Sequence, residues 1–191
     1  MRLGWVNDET TAQAWILGVL NSNFAALDGA LFWRMSVALN LDQPDRFLEA
    51  DGWLAAARES RELQLEDRRL AQTLLRLLAE LDVRPHPKTI DRVRTYAGAV
   101  SLAAHHWSIP PRQALLGLLW NFIETQVMAG VRLVPLGQTA AQRIMIAAVG
   151  AIERADKLSR SISTEEIGAT GQGLAIASAW HETQYSRLFQ S

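Results

Sequence analysis

At 191 residues the chain has the size of one domain, and with 49% of its residues hydrophobic it carries enough apolar mass for a substantial core. A balance of 19 basic and 20 acidic residues leaves a net charge of −1, which gives no electrostatic reason to expect nucleic acid or an anionic membrane as a partner. Cysteine is absent, which excludes disulfides, zinc–thiolate centres and thiol nucleophiles and fits a reducing, cytoplasmic setting.

Strand-like alternation never persists, and Leu, Ala, Arg, Glu and Gln dominate. The expectation is an all-α fold: a single-domain bundle of about seven helices over residues 1–191. The first helix begins at Asn7-Asp8-Glu9, a cap followed by an acid in the first turn, with Ala12, Trp15, Ile16, Val19 and Leu20 on one face. A second spans residues 24–39 and a third 45–57. A fourth, 61–81, has Leu63, Leu70, Leu74, Leu77, Leu78 and Leu81 as its apolar stripe and ends before Pro85 and Pro87. A fifth covers 89–105.

Pro110-Pro111 opens the sixth helix, where proline in the first turn is tolerated. Most of its circumference is apolar, so it is expected near the centre of the bundle, with Glu124 and Gln126 as buried polar groups. A buried amide left unpaired costs ~1–3 kcal/mol, so Gln126 reads as a tie within the core, with a direct binding role as the alternative. Pro135 precedes the seventh helix, 136–160, whose small-residue stripe of Ala141, Ile144, Ala148, Ala151 and Ala155 suits either core packing or a subunit contact. Ser163 and Glu166 form a capping-box pair for a last helical stretch interrupted by Gly168, Gly171 and Gly173. The apolar runs at 114–123 and 144–152 fall short of the ~20 residues that cross a bilayer. Residues 1–7 lack the order of a secretory signal, so no membrane association is expected.

No catalytic constellation emerges. His181-Glu182 begins like a zinc-protease helix, but Tyr185 stands where the second histidine belongs. His105 and His106 point ~100° apart on a helix, one expected against the core and one in solvent, and His86 lies in a proline loop. The glycines at 168–173 follow no strand and lack a lysine, so they read as a connection rather than a phosphate loop. Glu66-Asp67 and Glu165-Glu166 read as solvated helix faces. The best case for a small-ligand or metal-dependent enzyme is a pocket of Glu124, Gln126 and His106. A helix-turn-helix reader of DNA lacks a basic recognition helix.

Two segments are more specific: Val131-Arg132-Leu133-Val134-Pro135-Leu136-Gly137-Gln138-Thr139-Ala140-Ala141-Gln142, and His181-Glu182-Thr183-Gln184-Tyr185-Ser186-Arg187-Leu188-Phe189-Gln190-Ser191. Weaker matches accompany them at Ser60-Arg61-Glu62, His106-Trp107-Ser108-Ile109-Pro110-Pro111 and Trp120-Asn121-Phe122-Ile123-Glu124-Thr125-Gln126. In order and spacing the chain resembles the urease accessory protein F family from about Gly4 to Ser191. The resemblance implies an all-helical, non-catalytic scaffold or chaperone in urease maturation that dimerises. It also implies a complex with the D (or H) accessory protein and the nickel-binding GTPase G, which delivers nickel to the urease apoprotein. No cofactor is expected on this chain. The family carries further residues before the equivalent of Gly4-Trp5-Val6, so Trp5 and Trp15 are expected to be more exposed here.

Two contact regions follow as expectations. Residues 178–191 are a candidate partner-binding tail: Arg187 offers a rigid fork of donors, Tyr185, Leu188 and Phe189 offer apolar anchors, and Ser191 ends the segment. The alternative is that Leu188 and Phe189 dock on the bundle itself. The turn shaped by Pro135 and Gly137 is expected to present Arg132, Gln138 and Gln142 to a partner or second subunit, or else to use them in internal hydrogen bonds.

Overall fold

The computed structural model describes residues 4–83, 90–134, 136–168, 173, 176 and 177, and among them every regular element is helical. Helix α1 (Glu9–Val19) starts on a reciprocal capping box: Thr11 N donates to Asp8 Oδ1 at 2.8 Å and Asp8 N to Thr11 Oγ1 at 3.1 Å.

The expected gap before the second helix is not there. A π-helical segment (Leu20–Gly29) leads straight from α1 into α2 (Ala30–Asn40), making one continuous rod. Asn21 and Ser22 look like turn residues, yet Asn21 Nδ2 donates to the Leu17 carbonyl and Ser22 Oγ to the Gly18 carbonyl, both at 2.9 Å. Their side chains are satisfied on the rod's own backbone, and the wider π turn accommodates them.

Helix α3 (Pro44–Ala56) has proline in its first turn, and α4 (Arg61–Glu80) is capped by Ser60, whose Oγ accepts from Leu63 N at 3.2 Å. A 3-10 turn (Ile90–Arg92) precedes α5 (Tyr96–His106). This helix begins later than expected because Asp51 accepts from Arg94 N (2.8 Å) and Thr95 N (3.1 Å), holding Thr95 extended as the N-cap. Helices α6 (Pro111–Leu133) and α7 (Gln138–Ser161) complete the bundle, and the Ser163–Glu166 capping box opens a 3-10 turn (Thr164–Glu166).

The rod is the axis of packing. Its α2 part packs on α3 and α5, its π segment on α7 and α6. Phe32, Met35, Phe47, Leu54, Leu102, Leu115, Leu119, Ile123 and Ile144 fill the centre. The small stripe of α7 is core packing: Ala141, Ile144, Ala148, Ala151 and Ala155 are all buried within this chain. Farther along, Ser159 Oγ donates to the Ala25 carbonyl at 2.8 Å, and a Cβ on Gly29 would overlap that hydroxyl.

Two expectations about apolar faces are corrected. Helix α4 buries only Asp67, Ala71 and Leu78, while Leu70, Leu77 and Leu81 are 47%, 48% and 58% exposed. Helix α6 lies on one side of the bundle rather than at its centre, with Trp120, Met128 and Leu133 at 41%, 44% and 53% exposure. By length and composition alone the 32-residue rod and the 23-residue α6 suffice to cross a membrane, and in the rod 67% of the apolar window is buried inside the fold. In α6 the buried share is 33%. The sequence reading missed the rod because it split it at Asn21–Asn23, and missed α6 because it counted only the apolar run at 114–123.

Gly29→Ala is expected to destabilise the fold by ~1–3 kcal/mol through overpacking against Ser159. Urea unfolding followed by circular dichroism measures it, and Ser159→Ala in the same background should recover most of the loss.

Candidate interaction surface

The polar interior is organised by Arg58, in the turn between α3 and α4. Its guanidinium grips Asp28 of the rod through both terminal nitrogens (3.0 and 2.6 Å) and donates through Nε to Asp67 Oδ2 at 2.8 Å. The second oxygen of Asp67 accepts from Tyr96 N at 2.7 Å. Burial works against the charge of Arg58, but Asp28 and Asp67 outweigh it and hold the group above its usual range. Nearby, Asp51 accepts from Thr95 Oγ1 at 2.6 Å as well as the two backbone amides, and burial pushes its carboxyl up.

Beside this network lies a cleft of about 250 Å³ between the rod, α4 and α6. Trp15, Val19, Phe24, Leu63, Leu70 and Phe122 form its apolar walls, and Phe24 stacks on Phe122 with ring centroids 4.3 Å apart. Glu59, Glu66, Asn121, Thr125 and Gln126 supply polar lining. Gln126 is half-buried at this wall, whereas Glu124 is exposed rather than buried, because its position on α6 faces away from the core. His105 and His106 are both exposed: His105 Nδ1 lies 3.1 Å from Asn40 Oδ1, and His106 meets the edge of Trp107. The expected division of one histidine to the core does not occur, and Glu124, Gln126 and His106 do not share the cleft. No group of three or more histidines and acids among the described residues is placed to hold a metal.

A second ionic cluster fastens the end of α7. Asp156, 1% exposed in its side chain, accepts from Arg160 Nε (2.9 Å) and Arg160 Nη2 (3.0 Å) and from Arg112 Nε (3.1 Å). Burial alone would raise its carboxyl, but the bonds from Arg160 and Arg112 hold it below the usual range. Arg160 also lies over Trp33, 5.8 Å from the ring centroid.

At the α6–α7 turn, Arg132, Gly137, Gln138 and Gln142 are all exposed, and Leu136 is buried beneath them. The side chains of Arg132, Gln138 and Gln142 make no hydrogen bond to the described residues. Exposed apolar residues lie nearby on the same elements: Met128 and Leu133 on α6, and on α7 Ile146 (71%) and Val149 (51%), which share a helical face with Gln138 and Gln142. Arg143 pairs with Glu9 at 3.0 Å and ties this end to α1. Trp5, 41% exposed, packs on the half-buried Trp15 at 5.6 Å. Pro135, Tyr185, Arg187, Leu188, Phe189 and Ser191 lie outside the described residues, as do Pro85, His86, Pro87, Gly171 and His181.

Sequence reasoning missed the Arg58 network by treating Glu66-Asp67 as solvated. Asp67 is buried, and its phase was the available signal: residues 67, 71, 74 and 78 fall on one helical face with Ala71, Leu74 and Leu78.

Comparison with known proteins adds an independent line. A family model described as UreF matches residues 6–149. The urease accessory protein UreF 2 of Brucella anthropi is 50% identical over 189 residues, covering 98% of this chain and 83% of its own length. UreF of Psychrobacter cryohalolentis is 37% identical over 194 residues (99% and 82%) and that of Alkalilimnicola ehrlichii 36% over 189 residues (98% and 83%).

Arg58→Ala, which leaves Asp28 and Asp67 buried without their cation, is expected to cost ~3–5 kcal/mol. Denaturant unfolding tests it, with Arg58→Lys expected to lose less. For Asp156 the depressed carboxyl contributes stability above the ordinary aspartate range, and that contribution is lost as pH falls through the folded value. Melting temperatures measured from neutral pH to about pH 3 should therefore fall less steeply in Asp156→Asn than in the native chain.

Proposed function

The chain belongs to the UreF family of urease accessory proteins, a non-catalytic family whose role lies in urease maturation, and on that premise we propose that it is a scaffold bridging the D- or H-type accessory protein and the nickel-binding GTPase G. In this reading nickel is cargo, passed through the assembly to the urease apoprotein, and the chain holds no resident cofactor. It acts in the cytoplasm as a homodimer, without nucleic acid or membrane.

The observation that carries the reading is the α6–α7 turn. Arg132, Gln138 and Gln142 present donors with no bonds to the described residues, beside the exposed Leu133 and Ile146. Apolar residues that lose water on contact, ringed by groups that set orientation, are what a protein interface needs, and arginine is over-represented at such sites. Pro135 and Gly137 belong to the same proposed contact. Residues 178–191 are proposed as a second one, with Arg187 as donor, Tyr185, Leu188 and Phe189 as anchors and Ser191 at the end.

Size-exclusion chromatography with light scattering, first with the D-type protein and then with the GTPase, is expected to show a binary and then a ternary assembly. Arg132→Ala and Ile146→Asp should each weaken assembly by about tenfold or more, equivalent to ~1.4 kcal/mol, with unchanged unfolding curves. Arg187→Ala should do the same for the tail. Native assembly by all three variants would sink the proposed contacts, and no assembly by the native chain would sink the scaffold reading.

A further inference from the structure

We propose that the cleft between the rod, α4 and α6 is a docking groove for an amphipathic helix of a partner protein, one that presents large apolar residues flanked by Lys or Arg. The inference is independent of the α6–α7 turn.

The first support is a stripe that the described residues leave partly uncovered. Leu63, Leu70 and Leu77 recur every seven residues along α4, and Leu74 and Leu81 repeat the spacing one row over. A seven-residue repeat keeps one face turned toward a helical neighbour. Within the chain α4 turns Asp67, Ala71 and Leu78 inward instead, and at ~100° per residue Leu70 and Leu77 lie to one side of that buried line. About half of each side chain remains in solvent, at 47% and 48% exposure. The stripe runs into the cleft, since Leu63 and Leu70 line it opposite Trp15, Val19 and Phe122.

The second support is size. At about 250 Å³ the cleft is smaller than the ~300–1,000 Å³ of small-molecule sites. It suits one or two side chains anchored from a longer docked segment, with the leucine stripe continuing the contact beyond it.

The third support is charge. Four acids line the cleft, Asp28, Glu59, Glu66 and Asp67, against one cation, Arg58, which Asp28 and Asp67 already hold. Glu59 and Glu66 are exposed and pair with no described cation. The facing wall offers the neutral amides of Asn121 and Gln126. Such a rim attracts a basic flank and repels an acidic one, and complementarity of this kind sets which partner is accepted.

The test uses the full chain and two synthetic helical peptides, each three heptads long with the same leucine stripe, one flanked by lysines and the other by glutamates. Titration calorimetry is expected to show the lysine peptide binding, more weakly as salt is raised, and the glutamate peptide at least about tenfold weaker. Leu70→Asp and the pair Glu59→Lys with Glu66→Lys should each reduce lysine-peptide binding by about tenfold or more. All three positions are exposed, so circular dichroism should show native folding, and Glu66→Gln provides a milder check. Equal binding of both peptides, indifference to the variants, or no binding at millimolar peptide overturns the proposal. Light scattering that shows a dimer lost in Leu70→Asp would instead assign the face to a second copy. Lysine-peptide binding that appears only after deletion of residues 178–191 would assign it to the chain's own carboxyl end.

Discussion

A single guanidinium, that of Arg58, sits between carboxylates from the rod and from α4, and the surrounding architecture depends on it. Removing three charged groups from water costs several kcal/mol per ion, and only a well-formed set of bonds offsets that. Here both terminal nitrogens reach Asp28, Nε reaches Asp67, and the remaining Asp67 oxygen takes the Tyr96 amide. The rod, the α3–α4 turn, α4 and the start of α5 are thereby joined at one polar point. The same constraint sets the rotation of α4. With Asp67 turned inward, the flank carrying Leu63, Leu70 and Leu77 faces the cleft and solvent instead of the core.

Asp51 and Asp156 apply the same logic elsewhere in the bundle. Asp51 draws the Arg94 and Thr95 amides onto α3 and so determines where α5 begins. Asp156 gathers Arg112 from α6 and Arg160 from α7, locking the carboxyl-terminal end of α7 beside the start of α6. Among the described residues, the opposite end of α7, at the α6–α7 turn, has the Glu9–Arg143 pair as its one ion pair, and Arg132, Gln138 and Gln142 make no side-chain hydrogen bonds. Among the described residues, then, charged side chains are paired where α7 ends and hydrogen-bond donors are left without partners where it begins.

Local rules were readable without coordinates. Asp8, and Ser163 with Glu166, occupy the caps read from the sequence because a short polar side chain satisfies amides three residues away, a contact contained in the sequence itself; Thr95, read inside the fifth helix, caps α5 instead because Asp51 of α3 holds it extended. Pro44 and Pro111 sit in first turns for an equally local reason. Where local rules compete, sequence reading failed: Asn21, Ser22 and Asn23 carry turn chemistry, but burial of Leu20, Ala25 and Leu27 favours continuing the helix.

What the sequence determined by itself is therefore the all-helical class, most helix boundaries, the family resemblance carried by Arg132–Gln142, and which faces are apolar. These follow from backbone geometry and short-range hydrogen bonds, which depend on near neighbours in the chain. Only the tertiary structure decided that the α7 alanines face the rod, that Glu124 lies in solvent, that Asp67 is buried, and that half of the α4 leucine stripe is uncovered. Periodicity identifies an apolar face, but whether something covers it depends on elements such as Asp28 and Arg58, which are 30 residues apart in the chain and joined only by folding.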